Sequence, residues 1–145
     1  MRPSRLVLAA AAAALLAVAR PAWAGTALGL GADYLTVPGA GSLQLTLAAD
    51  TGLARNLTAG ARIGVLIATD RIGPAVPIDA RLRFYVRGLY VDGLVGPWIF
   101  FGDDKAVRVH GAIGFGITRR GWQLGLEVGY VDPTATVGVR VAWPF

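Results

Sequence analysis

The chain has 145 residues, 54% of them hydrophobic, with 20 glycines, one histidine and no cysteine. Without cysteine it can hold neither a disulfide nor a thiolate metal site. Its formal charge of +5 includes Arg2, Arg5 and Arg20 near the start, so the remainder is mildly basic, and no basic block points to nucleic acid.

Arg2 and Arg5 form a basic opening, and Leu6 to Ala19 is an unbroken apolar stretch. Ala22-Trp23-Ala24 then places small residues ahead of Gly25. This is the layout of a secretory signal peptide, and the stretch is shorter than the ~20 residues that a spanning helix needs. Residues 1–24 are therefore expected to be removed, leaving one domain over residues 25–145. No later segment is apolar for long enough to be a membrane helix. A mean hydropathy of +0.54 then has two explanations: a large buried core, or a barrel whose outside is apolar.

Side chains alternate between the two faces of a strand, and this period runs through the rest of the chain. Strand 1, from about Thr26 to Tyr34, sets Leu28, Leu30, Ala32 and Tyr34 against Gly29, Gly31 and Asp33. Strand 2, from about Ser42, sets Leu43, Leu45, Leu47 and Ala49 against Gln44, Thr46, Ala48 and Asp50. Strand 3 opposes Leu57, Ala59, Ala61, Ile63, Val65 and Ile67 to Thr58, Gly60, Arg62 and Gly64. Strand 4 opposes Ile78, Ala80, Leu82, Phe84 and Val86 to Asp79, Arg81, Arg83, Tyr85 and Arg87. In strand 5, Leu89, Val91 and Val95 oppose Tyr90 and Asp92, while Gly93, Leu94 and Pro97 blur the pattern. Pro97 is expected to mark a strand end or a bulge. Strand 6 sets Val107, Val109, Ile113, Phe115 and Ile117 against Arg108, His110, Ala112, Gly114 and Gly116. Strand 7 sets Trp122, Leu124, Leu126, Val128 and Tyr130 against Gln123, Gly125, Glu127 and Gly129. Strand 8 sets Val137, Val139, Val141, Trp143 and Phe145 against Gly138, Arg140, Ala142 and Pro144. Alternation sustained this long argues for strands and against helices.

Asp50-Thr51-Gly52, Arg87-Gly88 and Arg119-Arg120-Gly121 read as tight turns. Val37-Pro38-Gly39, Asp70 to Val76, Phe101 to Lys105 and Asp132-Pro133 form the alternate set of connections. An even strand number puts both termini at one end, which would be periplasmic. Trp122, Trp143 and Phe145 then fall at the periplasmic rim and Tyr34 and Tyr130 at the outer rim, with Trp98 and Phe100 close to the latter. Aromatic girdles of this kind mark both interfaces of a membrane barrel.

The strand ending on Trp143-Pro144-Phe145, with its apolar outer face, resembles the closing strand of bacterial outer-membrane barrels. The whole segment is similar to the small eight-stranded members, such as the transmembrane domain of outer-membrane protein A and its X-type relatives. The resemblance implies an all-β fold: an eight-stranded antiparallel up-and-down transmembrane β-barrel in the outer membrane. It implies that Trp143 and Phe145 belong to an assembly signal read by the barrel assembly machinery. It also implies outer-membrane lipid as the surrounding partner and a monomeric state. The connections at the outer end are shorter than the long loops of many relatives, which weakens any carry-over of adhesive roles.

In such a barrel the polar faces line a lumen just wide enough for side chains to fill. Arg62, Arg81, Arg83, Arg108 and Arg140 would face Asp33, Asp79, Asp92 and Glu127 there, with glycines making room. Desolvating an unpaired ion costs several kcal/mol, so these charges are expected to pair. A paired network can act as a plug or as a narrow, mostly closed conduit. No cofactor is expected. His110 with Asp92 or Glu127 would be a dyad without a nucleophile: Ser42 is the one serine after residue 24, and two positions beyond His110 stands Ala112. Asp103 and Asp104 are two carboxylates in an exposed loop, fewer oxygen ligands than calcium takes. The functional expectation is an outer-membrane protein with a structural, envelope-integrity role or a plugged conduit. The alternatives are a secreted soluble barrel carrying an apolar ligand, with its Leu and Val faces turned inward, and an envelope enzyme.

Overall fold

A computed structural model describes residues 25–69, 73–102, 104 and 106–145. The expected signal peptide, residues 1–24, lies outside the described residues. Eight strands follow in chain order: β1 (Gly25–Leu35), β2 (Ala40–Ala54), β3 (Leu57–Ala68), β4 (Ala75–Val86), β5 (Leu89–Phe100), β6 (Val107–Arg119), β7 (Trp122–Val131) and β8 (Thr134–Pro144). Each pairs antiparallel with the next, and β1 pairs with β8 to close the barrel. Closure leaves no free edge to template aggregation.

The alternation read from sequence decides what faces where. Leu28, Leu45, Ile63, Leu82, Val91, Ile113, Leu126 and Val139 are all exposed on the outside. Asp33, Gln44, Arg62, Asp79, Arg83, Asp92, His110 and Glu127 are buried inside. This reverses the usual soluble arrangement and matches the pattern of a barrel surrounded by lipid.

Four local expectations are corrected. Asp50-Thr51-Gly52 is not a turn: β2 runs on to Ala54, with a register shift between Gly52 and Ala54 against β3. The turn is Arg55-Asn56 instead. Asp50 pairs with Gly60, where a Cβ would overlap Ala49 O and the Asp50 carboxylate; the glycine lets the strand continue. Second, Pro97 neither ends β5 nor bulges it against β6, where Gly96 faces His110 and Pro97 faces Val109. It points outward, and the ladder to β4 is interrupted only between Trp98 and Val95, where proline has no N–H to give. Third, because β5 keeps its alternation through Pro97, Trp98 and Phe100 face the lumen, at 1% and 2% exposure, instead of joining the outer rim. The loop placed at Asp70 to Val76 is also shorter, since Ala75 and Val76 already belong to β4.

Candidate functional site: the occupied lumen

Arg62 is the centre of the interior. Its guanidinium donates to Asp79 Oδ2 from Nη2 (2.8 Å) and Nε (3.2 Å), and from Nη1 to Glu127 Oε2 (2.7 Å). Glu127 Oε1 also accepts from Arg140 Nη2 at 2.9 Å. Arg140 Nη1 reaches Asp33 Oδ1 at 2.6 Å, and Asp33 Oδ2 accepts from Gln44 Nε2 at 2.6 Å. On the other side, Asp79 Oδ1 accepts from Trp98 Nε1 at 3.2 Å and lies 2.6 Å from His110 Nδ1. The His110 ring sits 4.4 Å from that of Trp98. The result is one connected belt to which each of the eight strands contributes a residue: Asp33, Gln44, Arg62, Asp79, Trp98, His110, Glu127 and Arg140. Every carboxylate in it meets at least one guanidinium, the geometry in which charge-assisted bonds are strong.

Closer to the end that carries the termini lie two further pairs. Arg83 donates to Asp92 Oδ1 and Oδ2 at 2.5 and 2.6 Å and to Gln123 Oε1 at 2.6 Å. Its guanidinium lies 4.0 Å from the centre of the Tyr90 ring, within reach of a cation–π contact. Arg81 pairs with Asp50. Between these pairs and the belt remains a cavity of about 40 Å³ lined by Arg62, Arg81, Arg83, Asp92, Glu127 and Arg140, among others. It has room for about two or three waters.

The opposite end is closed mainly by apolar side chains. Leu66, Ala75, Trp98, Phe100 and Val131 pack into one buried cluster, with Leu35 and Ala40 buried at the same end. Leu35, Ala40, Ala75, Phe100 and Val131 are the terminal residues of their strands beside the connections at that end. They form an apolar stopper above the belt. Arg108 stands next to it, its guanidinium 5.0 Å from the Phe100 ring centre and donating to Asp132 O at 3.4 Å.

The aromatic positions divide as follows. Tyr34 and Tyr130 are exposed on the outside near the stopper end, and Tyr130 Oη is 3.4 Å from Asp132 Oδ1. Trp122, Trp143 and Phe145 are exposed near the other end. His110 is completely buried, its Nδ1 is held by Asp79, not by Asp92 or Glu127, and no serine hydroxyl is hydrogen-bonded to it. Among the described residues no group of three or more His, Asp or Glu could hold a metal ion; Asp103 and Lys105 lie outside them.

Sequence reasoning placed His110 in a polar lumen network, where it lies, but missed Asp50, Gln44, Gln123 and Trp98 as partners of the charges. For Asp50 the signal was present, since it lies on a polar face. For Trp98 it was hidden behind Pro97.

The site thus defines a class: an inside-out eight-stranded β-barrel with an apolar exterior and a filled, charge-paired lumen. No family model matches the chain, and no curated protein matches it. Among solved structures it is similar to a de novo designed transmembrane β-barrel, at TM-score 0.66 and 12% identity over 84% of this chain and 96% of that one. A second design, TMB2.3, solved by NMR, aligns at TM-score 0.60 and 13% identity over 83% and 93%. The Yersinia pestis outer membrane protein Ail in a phospholipid bilayer nanodisc aligns at TM-score 0.58 and 10% identity over 85% and 100%. At these identities the likeness is one of fold.

Proposed function

We propose that the chain is a monomeric outer-membrane β-barrel protein with a structural, envelope-integrity role and a lumen closed to solutes. The observation that carries this reading is the interior: a belt with one residue from every strand, capped by an apolar stopper. Such a lumen leaves no continuous water path, and a hydrophobic constriction opposes wetting. The likeness in fold to transmembrane barrels, Ail among them, supports the membrane setting. Outer-membrane lipid would cover the exposed Leu, Ile and Val side chains. The strand ending at Phe145 would be what the assembly machinery reads. The soluble carrier of an apolar ligand fits poorly, because it needs those side chains turned inward, and they face outward. An enzyme fits poorly because His110 has an acid beside it but no nucleophile.

The test is fractionation followed by electrophysiology. The protein should leave membranes only with detergent and migrate on a denaturing gel as a compact species that boiling converts to a slower or faster one. In planar bilayers it should show no steady conductance. A freely soluble periplasmic protein would reject the membrane reading; a large steady conductance would make transport its primary role.

A further inference from the structure

Apart from Arg108, the described arginines fall into two populations. Those of the belt and the two neighbouring pairs are inside and bound to carboxylates. Arg55, Arg87 and Arg120 are exposed on the three tight turns at the end away from the stopper, and Arg119 is exposed as the last residue of β6 beside the third of them; none of them forms an ion pair with a described residue.

Three of these are drawn together. Thr118 N donates to Gly88 O at 2.8 Å, which ties the β4–β5 turn to the end of β6. Arg87, one residue before Gly88, is thereby brought beside the end of β6, where Arg119 is the last residue of the strand and Arg120 opens the β6–β7 turn. The outer wall leading away from this turn is hollowed. An apolar depression of about 360 Å³ is lined by Phe115, Ile117, Leu124, Leu126 and Val139. The register places it directly beyond the turn: Arg119 faces Trp122, Ile117 faces Leu124 and Phe115 faces Leu126.

The geometry points to a binding site for an anionic phospholipid, its phosphate held by Arg87, Arg119 and Arg120 and one acyl chain laid in the hollow. Three features converge on that ligand. Unpaired guanidiniums match phosphate in charge and in bidentate geometry. The hollow is almost wholly apolar, so it suits a hydrocarbon chain and not a soluble acidic polymer. The two lie one behind the other along a strand, as headgroup and chain do in a bilayer. Arg55 is on the β2–β3 turn, away from the hollow, and is not part of the site.

The inference rests on the membrane reading proposed above, and one experiment separates their failures. Trp122 sits at the site, Trp98 is enclosed in the lumen, and Trp143 can be replaced by Phe to leave Trp122 as the lipid-facing reporter. The protein is extracted in detergent and reconstituted into phosphatidylcholine vesicles containing phosphatidylglycerol, with bromine on the chains of one lipid or the other. Brominated phosphatidylglycerol should quench Trp122 with a several-fold higher apparent association constant than brominated phosphatidylcholine. Arg87→Gln, Arg119→Gln and Arg120→Gln together should bring that ratio to one, whereas Arg55→Gln should leave it unchanged. Heat-modifiable gel mobility checks that each variant is folded. Equal quenching by both lipids overturns the site while leaving the membrane reading intact. A fall in the ratio on Arg55→Gln as large as that of the triple variant also overturns it, since the attraction would then belong to the whole rim. Quenching by neither lipid removes the membrane reading itself.

Discussion

Glu127 accepts from Arg62 and Arg140 and so joins β3, β7 and β8 through one carboxylate. Breaking a buried ion pair by deleting one partner typically costs 3–5 kcal/mol, because the other charge is left uncompensated. Glu127→Gln should therefore lower the unfolding midpoint in vesicles by an amount equivalent to about 3–5 kcal/mol, read from the gel-mobility shift against urea concentration. It should not open the barrel, because the stopper lies beyond it. Trp98→Ala with Phe100→Ala should do so: removing two large aromatics from a packed end leaves a void that the neighbours fill only in part. Planar bilayers are expected to show openings for that double variant and silence for Glu127→Gln. The reverse result would place the seal in the belt. Trp98 and Phe100 carry a lesson about legibility. Their facing follows from simple alternation once β5 is allowed to pass through Pro97. The rule that proline marks a strand end concealed it, because the rule concerns the missing N–H and here the loss falls on one ladder only.

At the scale of the strand, sequence is most informative about facing and least about partners. Alternation assigned Ile63 and Leu126 to the outside and Arg62 and Glu127 to the inside, as observed. That Arg62 meets Glu127, 65 positions away, depends on the stagger of all the intervening ladders, which no single segment encodes. The extent of β2 was misjudged for a related reason, because an Asp with a Gly two positions on is a turn signal unless a neighbouring strand, here through Gly60, lets the strand continue. Facing can be tested directly. Ile63→Arg should cost about 2–4 kcal/mol if that residue lies near the bilayer midplane, with Ile63→Leu near neutral. Cysteine placed at Leu126 should react with a lipid-soluble maleimide but not with a membrane-impermeant one, whereas cysteine placed at Val37, exposed on the β1–β2 connection at the opposite end from the termini, should react with both. Impermeant labelling at position 126 in intact membranes would contradict lipid contact there.

For the molecule as a whole, the closed order β1 to β8 makes the last strand the partner of the first. Trp143 faces Leu28 across that pairing, and Phe145 N donates to Thr26 O at 3.0 Å. Replacing both Trp143 and Phe145 with polar residues removes apolar side chains from the exterior near the end of the barrel. It also alters the proposed assembly signal. The variant should show reduced membrane levels and accumulate as periplasmic fragments, measured by immunoblot of fractionated cells. Wild-type levels would count against a signalling role for this end. The barrel's architecture was legible because one period of two, held through eight strands, leaves few alternatives. The lumen's connectivity was not, because it is a property of the closed ring.

The Asp33–Arg140 contact has a consequence for how the ring is sealed. It spans the junction between β1 and β8, where Gly138 faces Asp33 and a Cβ at position 138 would overlap the Asp33 carboxylate. A slip of two residues along this junction keeps every apolar side chain outward, because facing repeats with that same period. Hydrophobicity alone is therefore blind to the error. The slip would, however, put Thr136 or Arg140 in place of Gly138 opposite Asp33, where only a hydrogen fits beside the carboxylate. Gly138 and the ion pair beside it thus give the junction a single seating, telling correct closure from a neighbour that lipid could not distinguish.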